Sequence, residues 1–252
     1  MSWATRRKSL FTLGTIVFIL LIVGIPGYFI LNEPPTCSDG KKNQDEVGID
    51  RGGPCSILDI TQVTPHTVLW ARSFEVIPGV YSAVSYIDNP NINAGSDAVP
   101  YTLKLFDDAG ILIAERKNIT FITPNSINPI FEGGIATGER KPTKAFLAFD
   151  ETPAWEIRDS LAQNISVRNQ LLQNEESAPK VTAEVVNTGV DSLGDVEVVV
   201  VLFNRKDNAI AASKTIIGHL GVGASEPVVF TWPKSFDVPV SRFEILPRIP
   251  HQ

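Results

Sequence analysis

A stretch of the chain is written twice. Leu103-Lys104-Leu105-Phe106-Asp107 returns as Val200-Val201-Leu202-Phe203-Asn204, and Ile113-Ala114 returns as Ile210-Ala211, at one offset of 97 residues. Asn89-Pro90 matches Asn187-Thr188, and Pro129-Ile130-Phe131 matches Pro227-Val228-Val229, at an offset of 98. A drift of one residue fits a single loop insertion between repeated strands, and repetition on this scale means that one supersecondary unit is used twice. Each copy has the same parts: an apolar-alternating strand, an Asn-led turn, a longer strand ending in Leu-Phe-Asp or Leu-Phe-Asn, a tight turn and a return strand. In the first copy these are residues 81–87, 89–91, 101–106, 108–110 and 111–116. In the second they are 181–186, 187–189, 196–203, 206–208 and 209–214. Such patterns are hairpin signals. Two sheets with apolar inner faces must cover each other, so each copy is expected to be a sandwich of roughly 80 to 100 residues.

Upstream, residues 10–31 carry no charge and are rich in Leu, Ile, Val and Phe. A helix of that length rises about 33 Å, enough for a bilayer core. Arg6, Arg7 and Lys8 precede the run and Glu33 follows it, so the positive-inside bias places the N-terminus in the cytoplasm and the rest outside. The rival reading is a cleaved signal peptide, whose apolar core is usually shorter and ends at small residues. Gly24-Ile25-Pro26-Gly27 is a candidate break, but the apolar run resumes from Tyr28 to Leu31. Trp3 suits the membrane interface. The expected layout is a cytoplasmic tail over 1–9, a transmembrane signal anchor over 10–31, an extracytoplasmic stem over 32–56, and sandwiches over 57–152 and 153–252. The fold class is then all-β behind one N-terminal transmembrane helix, at the cell membrane.

Beyond the run, 19 basic residues face 28 acidic ones, a net charge of −9. That balance lacks the basic footprint of a nucleic-acid binder. Eighteen Pro, eighteen Gly and many β-branched residues favour short strands joined by turns.

The only two cysteines, Cys37 and Cys55, lie just after the apolar run, where an oxidising compartment would let them pair. Between them Asp39, Asn43, Asp45, Glu46 and Asp50 alternate with glycines. Oxygen ligands on a Gly-bent loop suit a hard cation such as calcium, although the EF-hand spacing is missing. The other reading is that these side chains cap the turns of a solvated linker. The segment resembles a short module recurrent in bacterial surface proteins, C-x-D-G-x-x-N-x-D-E-x-G-x-D-C-G-G-x-C, and departs from it at Arg51, where the module has an inner cysteine. That resemblance implies a surface-exposed, disulfide-closed spacer.

The strand at Leu103-Lys104-Leu105-Phe106-Asp107 is similar to that of the FxLYD domain, an immunoglobulin-like β module of bacterial and archaeal envelope proteins. Leu103 and Val200 stand for its leading Phe, Phe106 and Phe203 for its Tyr, and Asn204 for its Asp. The resemblance implies an extracytoplasmic binding or spacer role and brings no catalytic residue.

A search for chemistry finds no convergent set. None of His66, His219 and His251 sits near another, or near a cysteine, in metal-ligand spacing. Gly133-Gly134-Ile135-Ala136-Thr137-Gly138 runs into Glu139 where a phosphate loop needs Lys, and reads as a loop between strands. Arg140, Lys141 and Lys144 form a small basic cluster suited to solvent or to an anionic polymer. Trp70, Trp155 and Trp232 sit in strand-like runs, so packing is their default role and a carbohydrate platform the alternative. The segment from Trp155 to Asn174 fits either a crossing strand or a short helix. The chain is therefore expected to be non-enzymatic, displaying two modules toward an envelope protein or polymer, with carbohydrate or cell-wall polymer binding as the alternative.

Overall fold

The computed structural model describes residues 3–31, 36–160 and 164–250. Glu33 and Pro34 of the expected stem, the Leu161-Ala162 part of the segment between the repeats, and His251 lie outside them. The chain divides into two compact units, Met1–Cys55 and Ser56–Gln252.

In the first unit the chain is helical from Trp3 to Leu31, as α1 (Trp3–Ile19), a π-helical turn (Leu20–Gly24) and α2 (Ile25–Leu31). The π turn has a local cause in Pro26, which has no N–H to give the preceding turn and crowds its carbonyl. Within this helix Arg6–Tyr28 is long and apolar enough to cross a membrane. Two of its hydroxyls bond within the helix: Thr12 donates to the Lys8 carbonyl at 2.8 Å and Thr15 to the Phe11 carbonyl at 2.9 Å. Such back-bonding lets Thr sit in an apolar run.

The strands of the second unit all pair antiparallel, after a short 3-10 turn at Ile60–Gln62. One sheet is ordered β1 (Thr67–Ile77), β2 (Val80–Asn89), β5 (Ser126–Ala136). It covers a sheet ordered β4 (Leu112–Ile122), β3 (Ala94–Phe106), β6 (Lys144–Phe149), with the short β7 (Glu156–Ile157) paired to the start of β3. The second copy repeats this plan. Strands β8 (Ile165–Gln173), β9 (Lys180–Asn187) and β12 (Ser225–Thr231) form one sheet, and β11 (Ala209–Leu220), β10 (Leu193–Phe203) and β13 (Arg242–Arg248) the other. The repeat read in the sequence is thus a repeat of strand order as well. The described part of the segment after Trp155 includes two strands, β7 and β8, on either side of the undescribed residues.

Each sandwich has its own core. Tyr81, Ala83 and Ile87 meet Leu103, Leu105 and Ile130 in the first, and Val181, Ala183 and Val185 meet Val198, Val200 and Leu202 in the second. Trp155 closes the end of the first with Val63, Val99 and Ile122, and Trp232 belongs to the second. Both rings are buried, which agrees with packing as their default role.

The Asn-led turn has one construction in both copies. Asn89 Nδ2 donates to the carbonyls of Ala94 and Thr123, while its Oδ1 accepts the Asn91 amide. Asn187 Nδ2 donates to the carbonyls of Asp191 and Leu220, while its Oδ1 accepts the Gly189 amide. Asp107 and Asn204 likewise accept the amides of Ile111 and Asn208 at the tight turn. In contrast to the expected loop, Gly133 and Gly134 lie inside β5. There the pairing with β2 slips between Tyr81 and Ala83, and Gly134 has a φ of 63°. Glycine supplies the left-handed residue that a bulge of this kind requires.

Candidate functional site

Polar side chains gather in the disulfide loop of the first unit and at the junction of the two sandwiches in the second.

In the loop, Cys37 and Cys55 are bonded, with Cα atoms 5.6 Å apart. The acidic residues close the loop by accepting its amides. Asp50 takes the N–H groups of Asp39 and Gly40 at 3.0 and 2.9 Å. Buried Glu46 takes those of Asn43 and Asp50 at 3.3 and 3.1 Å, and its other oxygen lies 3.3 Å from Cys55 Sγ. Asp39 accepts the Lys41 amide at 2.8 Å and the Asn43 side-chain amide at 2.7 Å. The bond from Asn43, followed by that from Lys41, holds the Asp39 carboxyl below its ordinary value of 3.8. Asp45 adopts a φ of 66°, and a Cβ at Gly53 would fall 2.5 Å from its carbonyl oxygen, so that position admits only glycine. Of the five residues expected as cation ligands, Asp39 and Asn43 touch through their side chains. Asp50 and Glu46 reach the others through backbone amides. Among the described residues, the group of three or more His, Cys, Asp or Glu side chains with ligand atoms within 4.8 Å of one another is Cys37, Glu46 and Cys55, whose sulfurs are committed to the disulfide.

The junction is a third core. Val84 and Tyr86 of β2 pack against Val199, Val201 and Phe203 of β10 and Ala209 and Ala212 of β11, with Trp70 alongside. The sheet β1-β2-β5 of the first sandwich therefore faces the sheet β11-β10-β13 of the second, giving four stacked layers. Trp70 and Tyr86 rings lie 4.3 Å apart, and Phe203 meets both at 6.4 Å. The Tyr86 hydroxyl donates to Glu244 at 2.8 Å; burial, then that bond, pushes its ionisation upward.

Arg248 fastens one edge. It is 4% exposed, donates to the Pro129 carbonyl at 2.8 Å, to Thr120 Oγ1 at 3.1 Å and to the Phe121 carbonyl, and pairs with Glu197 at 3.2 Å. Burial brings its guanidinium down to about 10, with Glu197 opposing.

At the other edge the junction opens into a cavity of about 350 Å³ between β1, the start of β2, β11 and the segment after β12. Trp232 and Phe236 meet edge to face there at 5.4 Å, and Glu75 and Lys234 stand 3.9 Å apart.

The remaining candidates do not converge. His66 packs edge-on to Phe149 at 4.8 Å, and burial lowers its pKa. His219 lies near the end of β11, and Arg140, Lys141 and Lys144 are exposed. Sequence reading missed Arg248, Glu197 and the junction cavity. A signal for the junction was present: residues 198–203 are an unbroken apolar run, the mark of a strand covered on both faces.

No protein-family model matches the chain, and no curated protein sequence does. Among solved structures it is similar to a β-glucuronidase of Bacteroides uniformis, at 11% identity over 64% of this chain and 22% of that one, with a TM-score of 0.22. It is also similar to a tandem CBM22 domain pair from Paenibacillus barcinonensis, at 8% identity over 74% of this chain and 87% of that one, with a TM-score of 0.18. The chain spans about a fifth of the glucuronidase, 22% of its length. At these scores the likenesses carry no argument about activity or ligand.

Proposed function

We propose that this chain is a non-catalytic, single-pass membrane protein whose two stacked sandwiches stand outside the cytoplasm and bind or organise envelope components. The observation that carries the reading is the disulfide that closes 37–55 directly after a helix able to cross a membrane, because such bonds persist in oxidising compartments. Arg6, Arg7 and Lys8 before the helix support an N-in orientation. The doubled Asn turn and the Leu-x-Leu-Phe-Asp strand support kinship with FxLYD-like modules. The scattered histidines and the amide-capping carboxylates favour binding over turnover.

Crosslinking in intact cells followed by recovery of the full chain from membranes is the test. The expected result is one or a few envelope proteins enriched, with the body digested by protease added outside; no enrichment, or a protected body, counts against the reading. A second reading, carbohydrate or cell-wall polymer binding, is favoured by the mixed polar and aromatic lining of the junction cavity.

A further inference from the structure

We propose that the junction cavity is a binding site for one uncharged pyranose unit, free or at the end of a glycan. The proposal rests on the binding role of the second unit and gives it a ligand class.

Ser82 is the starting point. It lies on β2 in phase with Val84 and Tyr86, so its side chain shares the face turned to the second sandwich. Where those two residues meet β10, Ser82 lines the cavity instead. It is 3% exposed, and its hydroxyl has no hydrogen-bond partner among the described residues. A buried hydroxyl without a partner is costly, so a ligand hydroxyl that reaches it from the cavity gains a bond that the free protein lacks.

The rest of the wall narrows the ligand. Trp232 and Phe236 supply an apolar side, and Glu75, Asp237 and Lys234 supply acceptors and donors around it. A pyranose has the matching character, with apolar C–H faces and a rim of hydroxyls that both donate and accept. Two carboxylates against one ammonium disfavour phosphates and other anions. Glu75 and Lys234 already face each other at 3.9 Å, so the charges answer one another and do not call for a charged ligand. At about 350 Å³ the space lies at the small end of ligand pockets, suited to one sugar ring and not to a buried chain.

The test uses the full chain in lipid nanodiscs and saturation-transfer NMR with methyl α-glucoside, methyl β-galactoside and N-acetylglucosamine, with glucosamine and glucose 6-phosphate as charged probes. Saturable binding of at least one uncharged sugar is expected. Ser82→Leu, which fills the cavity, should abolish it, and Ser82→Ala should weaken it about tenfold. If Ser82→Leu lowers the melting temperature sharply, the Ser82→Ala result decides. Binding that is unchanged in Ser82→Ala, binding of the charged probes alone, or no saturable binding at the solubility limit would each overturn the proposal. If crosslinking still recovers an envelope partner in that case, the broader role stands without the sugar site.

Discussion

The guanidinium of Arg248, on the last strand of the second sandwich, donates to the carbonyl of Pro129 in the first at 2.8 Å. With Thr120, Phe121 and Glu197 also engaged, one side chain ties together two copies of the same fold. The tie is specific in geometry, since the planar fork serves several acceptors at once.

Arg248→Met should therefore cost about 1–3 kcal/mol for each buried acceptor that loses its donor, the Pro129 carbonyl first among them, while Glu197 keeps Lys214 at 3.3 Å. Arg248→Lys keeps a charge but cannot reach the same carbonyls, and should recover only part of the loss. Denaturant unfolding of the full chain checks both. A loss within experimental error for Arg248→Met would show that the junction is held by its apolar core alone.

The buried turn asparagines make a paired test. Asn89→Ala strips a donor from the carbonyls of Ala94 and Thr123, and Asn187→Ala does the same to those of Asp191 and Leu220. Each group left without a partner costs about 1–3 kcal/mol, so the two substitutions should destabilise by similar amounts. Calorimetry would read this, and a loss at one site with none at the other would break the equivalence of the copies.

These asparagines also show what was legible in the sequence. The repeat is visible because identical local chemistry, an Asn that caps a turn and an Asp or Asn that closes another, leaves the same letters at a fixed spacing. The strands flanking those turns alternate or, in β10, run unbroken in apolar residues, so β2, β3, β9 and β10 could be placed. Strand β13 shows no such signature, and its Arg248 reads as an ordinary surface residue until Pro129, 119 positions away, is brought beside it. The cavity at Ser82 is hidden for the same reason: its walls come from both copies. In the loop, carboxylates at cation-like spacing were visible, but their acceptance of amides depends on backbone turns at Asp45 and Asp50 that composition does not encode.

Breaking the disulfide tests the loop by itself. Cys37→Ser with Cys55→Ser opens a closure of 18 residues, for which the chain-entropy model assigns about 3 kcal/mol. Trypsin should then cut faster after Lys41, Lys42 and Arg51, while the melting of the second unit stays unchanged. Equal cleavage with and without the bond would mean that the carboxylate–amide bonds suffice.

Asp39 gives that loop a pH dependence with a definite sign. Its carboxyl is held below 3.8 by the bonds from Asn43 and Lys41, so the charged form is the one that the fold favours. The stabilisation is present above the unfolded value and is lost as pH falls through the lowered folded one. Hydrogen exchange at the Lys41 amide should accelerate as the pH drops below about 3.8, after correction for intrinsic rates, and Asp39→Asn should remove that step. A transition centred near 6 would point to a different group.

The stack of sheets ends after four layers, and the repeat offset suggests why. Position 104 is Lys, ion-paired to Glu115 at 3.5 Å on the outer sheet of the first sandwich. Its counterparts 97 residues on, Val201 and Ala212, are paired strand to strand and buried in the junction. On the other side Val84 and Tyr86 in the junction correspond to Thr182 and Glu184 on the outer face of the second sandwich, where β9 returns to simple alternation. The same fold thus presents apolar faces inward and polar faces outward, as terminal repeats of a stack must. Val201→Lys with Ala212→Glu should write the outer pair into the junction and part the sandwiches, seen as a larger radius by small-angle scattering and two unfolding transitions. Lys104→Val with Glu115→Ala should do the reverse, giving the outer sheet an apolar face beside Phe106 and Phe146, whose rings already meet at 5.7 Å. Such a patch invites concentration-dependent association, measurable by sedimentation. If the second variant stays monomeric while the first still parts, the outer face lacks the shape of the junction as well as its chemistry.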